Sequence, residues 1–166
     1  MKRYAIAALA LTLLGSFSTL AVSAAVSSND SSFIQSAQGD ALGAFALASL
    51  AQNKAQDPKL KALAEQIATN ADKANMFIKT YAKTHDVTVD NKPSLRATSQ
   101  YGDISSLSGK SFDQSFATDM KIDANIALSD YQDEAQNGTD PALKAFAKQQ
   151  LSLLQQVSSQ TEKLSQ

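Results

Sequence analysis

Cysteine is absent, so the chain forms no disulfide, carries no reactive thiol and offers no thiolate to zinc. Tryptophan is absent as well, and aromatic residues are scarce. Abundant Ala, Leu, Gln and Lys favour helix over sheet in their place. Charge of one sign is also missing. Fifteen Lys and Arg face 16 Asp and Glu, with no basic run, which argues against nucleic acid as a partner. There is no Gly-x-Ser-x-Gly string, no glycine-rich phosphate loop and no Glu-x-x-His pair. The single histidine, His85, has no evident catalytic partner.

The amino terminus follows the three-part pattern of an export signal. Lys2 and Arg3 are the positive start, Ala5 to Leu14 is the apolar stretch, and Leu20 to Ala25 supplies small residues for cleavage after Ala24 or Ala25. The apolar stretch is shorter than the ~20 residues of a membrane span. The expected location is therefore the periplasm or an outer-membrane-associated site. Removing residues 1–24 from 166 leaves 142, enough for one domain with a real core.

Residues 25–30 read as a polar leader, and residues 31–166 as an all-α domain with helices at about 31–54, 57–84, 111–137 and 140–165. Asp57-Pro58 and Asp140-Pro141 open the second and fourth helices: the aspartate caps free N–H groups, and proline at the first position has none to waste. Leu60, Leu63, Ile67, Ala71, Ala74, Ile78 and Tyr81 recur at helical spacing, as do Phe112, Phe116, Met120, Asp123, Ala127 and Tyr131. Asn137-Gly138 is a helix stop. Ala41 to Ala51 is apolar almost all round, which calls for burial on most sides, a dimer seam or a membrane surface.

Self-similarity organises these helices. DPKLKALAEQ at 57–66 matches DPALKAFAKQ at 140–149 in register, and SFIQS at 32–36 matches SFDQS at 111–115. Each copy is an αα-hairpin that cannot bury its apolar faces alone, so two copies close on each other. The connection at 85–110 is long for a compact domain and has room to cross the bundle end to end, with a short helix expected around Ile104 to Leu107. One long crossover between two hairpins gives a ferritin-like four-helix bundle.

At Phe33-Ile34 with Ala37, Leu50-Ala51, Ala74-Asn75, Leu107-Ser108-Gly109 with Phe112-Asp113, and Asp140-Pro141 with Leu143 to Ala147, the chain resembles the bacterial exported domain-of-unknown-function family 4142. The resemblance implies a ferritin-like bundle in the cell envelope, with an Asp-His pair on the second helix, another on the third, a histidine on the fourth and a glutamate on the first. This chain has Asn70 and Ala71, Asp123 and Ala124, Val157 and Ala44 at those places. Only Asp123 keeps the residue type, so these six are expected to be the positions of a vestigial site.

No catalytic or metal-ligating set and no cofactor is therefore expected. The third helix is rich in acids, among them Asp119, Asp123, Asp130, Asp133 and Glu134. Its face reads as solvated, with Asp123 the exception near the apolar stripe and Asn70 a candidate partner for it. The leading expectation is a structural, interaction or stress-related envelope protein with an unidentified envelope partner. Homodimerisation, metal storage by carboxylates of the third helix and peripheral membrane attachment are the alternatives.

Overall fold

A computed structural model describes residues 26–164. The expected export signal lies outside the described residues. Five helices follow in order: α1 (Ser28–Lys54), α2 (Pro58–Thr84), α3 (Leu95–Ser105), α4 (Gly109–Asn137) and α5 (Pro141–Leu164). The four long ones form the bundle, α1 pairing with α2 and α4 with α5. None of the described helices is long and apolar enough to cross a membrane.

The two Asp-Pro starts are built as their chemistry dictates. Asp57 accepts a hydrogen bond from the Lys59 amide at 2.7 Å, and Asp140 accepts from the amides of Ala142 and Leu143 at 2.8 and 3.0 Å. A further pair of aspartates ties the hairpins together. Asp113 in α4 accepts from the amides of Gln56 and Asp57, in the turn between α1 and α2. Asp30 in α1 accepts from the amides of Thr139 and Asp140 and from the Thr139 hydroxyl, in the turn between α4 and α5. Each hairpin thus satisfies the turn amides of the other.

These contacts also fix the topology. The start of α1 meets the end of α4, and the end of α1 meets the start of α4, so the two run antiparallel. The segment from α2 to α4 must therefore travel the length of the bundle. It runs along α1, where the Ser94 amide donates to the Gly39 carbonyl at 3.0 Å. Gly43 permits this close approach, because a Cβ there would stand 2.2 Å from the Ala97 Cβ. With α2, α4 and α3 all against it, α1 has most of its nearly all-round apolar surface covered, and Phe45 is left exposed.

Three expectations need correction. Residues 25–30 are not simply a polar leader: Ser27 caps a helix that starts at Ser28, and Asp30 is 1% exposed because the turn beyond α4 needs its carboxylate. The crossover helix lies at Leu95–Ser105 rather than around 104–107, since Ser94 caps it and Ala97 and Ile104 anchor it. The third long helix starts at Gly109 rather than Ser111, where a φ of +60° favours glycine.

The core divides along the bundle axis into two clusters. One is centred on Leu47, Leu63, Ile104, Phe112 and Phe116, the other on Phe33, Ile34, Ile78, Tyr131, Leu143 and Phe146. Phe33 meets Tyr131 edge to face at 5.0 Å, and Phe77 stacks on Phe146 at 4.1 Å. Burying one such side chain stabilises by roughly 1.5–3 kcal/mol.

Candidate functional site

Between the two clusters lies a cavity of about 100 Å³. Each long helix contributes residues at helical spacing, so that one face of each turns inward. α1 gives Asp40, Ala41 and Ala44; α2 gives Ile67, Asn70, Ala71 and Ala74. α4 gives Met120, Asp123, Ala124, Ala127 and Tyr131; α5 gives Gln150, Leu153, Leu154 and Val157. Ala44, Asn70, Ala71, Asp123, Ala124 and Val157 therefore stand on one wall system, although they come from four helices.

The polar part of the wall is organised from outside the four-helix frame. Arg96 of α3 donates from Nε to Asp123 Oδ1 at 2.8 Å and from Nη2 to Asp40 Oδ1 at 3.0 Å. Gln100, one turn further along α3, donates to the same Asp123 oxygen at 3.2 Å. Asn70 is not the partner of Asp123, contrary to expectation: α3 brings a charged, forked donor that an amide cannot match. The three charged side chains are only 16–34% exposed. Burial pushes the Asp123 carboxyl up, and the bonds from Gln100 and Arg96 offset that only in part. Burial works against the Arg96 charge, but Asp40 and Asp123 hold its pKa above the ordinary value.

The remaining acids of α4 go elsewhere. Asp119 lines a separate surface depression with Asp103, and burial together with the Asp123 and Asp103 charges pushes its carboxyl up to about 6. Asp130, Asp133 and Glu134 line another near the start of α1. Glu134 corrects the expectation of a solvated face, for it is 3% exposed. Its Oε1 has no hydrogen-bond partner and sits over Gly138, where a Cβ would lie 2.2 Å away. Burial, then the charges of Asp30, Asp133 and Asp140, raise this carboxyl to about 7. Among the described residues no group of three or more His, Cys, Asp or Glu is placed to hold a metal ion. His85 ends α2, stacked 3.9 Å from the Tyr81 ring with Nδ1 at 2.9 Å from the Tyr81 carbonyl, and does not line the cavity.

A family model described as "Domain of unknown function (DUF4142)" matches residues 16–164. The chain belongs to the DUF4142 family. No curated protein matches it. Two solved structures share the fold. CopM in the Cu(II)-bound form superposes with a TM-score of 0.72 at 18% identity, covering 82% of this chain and 95% of that one. CopM in the Ag-bound form gives 0.67 at 21% identity, covering 81% and 93%. At these identities the likeness concerns the all-helical fold.

Sequence reasoning missed Arg96, Asp30 and Glu134 as structural centres. A signal existed for the first: Arg96 is the only arginine besides Arg3. Arginine, unlike lysine, is suited to bridging two carboxylates.

Proposed function

We propose that this DUF4142 member is a non-catalytic protein of the bacterial cell envelope, with a structural, interaction or stress-related role and an interior that is a vestigial metal site. One observation carries the reading. The only carboxylates on the cavity wall, Asp40 and Asp123, are both engaged by Arg96. The rest of the wall is hydrocarbon, two amides, one phenol and one thioether. Cu(II) prefers imidazole and Ag(I) prefers soft sulfur. The wall offers neither an imidazole nor a thiol, and Met120 alone is one sulfur short of a pair. The donor set therefore does not fit the ions held by CopM. The envelope part of the reading rests on the signal pattern at residues 1–25.

Elemental analysis of protein purified without chelators tests the proposal. The expected result is no stoichiometric transition metal. One metal per chain, lost in Asp123→Asn, overturns it. Cell fractionation with amino-terminal sequencing tests the location, and an uncleaved cytoplasmic chain refutes it.

The fold shared with metal-bound CopM favours a second reading, in which carboxylates of α4 hold a metal weakly. Calorimetric titration with Fe²⁺, Mn²⁺, Ca²⁺ and Cu²⁺ decides between them, since no heat of binding rejects this alternative.

A further inference from the structure

We propose that the cavity between the two core clusters is a binding site for a small, uncharged, largely apolar molecule of about benzene size that carries one hydrogen-bonding group. This goes beyond the envelope role and does not depend on it.

Size and apolar lining support the site first. The cavity measures about 100 Å³. That is of the order of an engineered apolar cavity of ~150 Å³ in another protein that takes up benzene. A void of this kind forfeits dispersion contacts, and a close-packed interior would normally close over it. Here closure is opposed from both ends. Phe112 and Phe116 on one side, with Phe33 and Phe146 on the other, keep the helices apart. Ala71 and Ala124, buried between those clusters, have no side chain long enough to fill the gap.

The polar groups define what else the ligand must be. Asn70 on α2 and Gln150 on α5 line the cavity, and neither side chain hydrogen-bonds another described residue. They offer donors and acceptors to one polar group of an otherwise apolar guest. Anions are disfavoured, because Asp40 and Asp123 together outweigh Arg96 by one negative charge at the same wall. An amide-bearing, hydrocarbon-walled pocket with a small negative excess selects a phenol-like molecule over a carboxylate.

Calorimetry and thermal shift with benzene, phenol and benzoate test this on the purified protein, with alanine-methyl NMR reporting the place of binding. Benzene and phenol are expected to bind one per chain, raise Tm and shift the methyl signals of Ala71 and Ala124. Phenol should bind about 3- to 10-fold more tightly, the worth of one neutral hydrogen bond, and Asn70→Ala with Gln150→Ala should erase that preference while leaving benzene binding in place. Benzoate should not bind. Ala71→Leu should abolish binding without loss of fold, and Ala124→Val is the milder filling variant should Ala71→Leu not fold. The proposal is overturned by the absence of saturable binding of either neutral probe, or by binding that persists in a folded filling variant. Metal content is a separate readout, so failure here leaves the reading of the vestigial site standing and is distinguishable from its failure.

Discussion

The reciprocal aspartate clamps make an uneven pair, and the unevenness is measurable. Asp30 is 1% exposed and accepts from two turn amides at 2.9 and 3.2 Å as well as from the Thr139 hydroxyl. Asp113 accepts from two amides at 3.0 Å, but it is only half-buried. Hydrogen bonds to a charged group are worth about 1.5–3 kcal/mol, and an orphaned buried donor costs about 1–3 kcal/mol. Water can replace Asp113 in part and Asp30 hardly at all. Asp30→Ala should therefore cost about 3 kcal/mol and Asp113→Ala about 1–1.5 kcal/mol, with Asp30→Asn between them because one acceptor oxygen remains. Urea unfolding followed by far-ultraviolet circular dichroism at pH 7 measures all three. Burial would raise the Asp30 carboxyl, but the bonds from Thr139, Ser27 and Asp140 outweigh it and hold the pKa below its ordinary value. A carboxyl depressed in the folded state adds stability above its unfolded pKa, and that stability is lost as pH falls through the folded value. The gap between wild type and Asp30→Asn should accordingly narrow below about pH 4. An Asp30→Ala protein within 0.5 kcal/mol of wild type, or an Asp113→Ala variant that loses more than Asp30→Ala, would refute the reasoning.

Three further outcomes follow from single contacts. Arg96→Met should destabilise by about 2–3 kcal/mol, since it leaves two partly buried carboxylates without their cation, and Arg96→Lys should recover only part because lysine lacks the fork; chemical denaturation of the three proteins checks the order. Gly43→Ala should cost about 1–3 kcal/mol and expose residues 85–108 to protease, because the new Cβ meets Ala97; limited proteolysis reads whether α3 has lifted. Glu134, raised in the folded state to about 7, binds more protons folded than unfolded between its ordinary value and 7. Stability should therefore fall as pH rises through that window, by at most about 3 kcal/mol at ~1.36 kcal/mol per unit, and Glu134→Gln should flatten the profile; a wild-type curve that rises over the same range would contradict the assignment.

The frame of the molecule was legible because local chemistry determines it. Asp57-Pro58 and Asp140-Pro141 are caps whose function needs no knowledge of the rest of the chain. The apolar period of α2 maps directly onto its buried residues, from Leu60 to Tyr81. What could not be read are contacts made across the bundle by residues whose type announces solvent. Asp30 resembles leader sequence until the turn beyond α4 is placed against it. Glu134 follows the acidic pattern of α4, and only Gly138 allows it to fold inward. Arg96 sits in the crossover, where periodicity gives no direction, so its bridge from α3 to α1 and α4 depends wholly on the path of that segment.

The division of the core explains how the waist of this bundle can tolerate a change of side chain while the fold persists. The large aromatic side chains that hold the helices together, Phe33, Phe112, Phe116 and Phe146, do not line the cavity. Replacing a large polar side chain by alanine at the waist therefore removes contacts local to the cavity and leaves the packing of both ends intact. The cost of that loss is bounded by the void it leaves, at about 24 cal/mol per Å³, or about 2–3 kcal/mol for the whole cavity. The same exchange removes the desolvation penalty of burying unpaired polar groups, which runs to about 1–3 kcal/mol for each. The two effects are of equal size and opposite sign, so the waist is nearly neutral ground for stability. Asp123 is the exception that fits the rule: it is a charged group at the waist, and a guanidinium from the crossover, rather than a group of the four long helices, answers it.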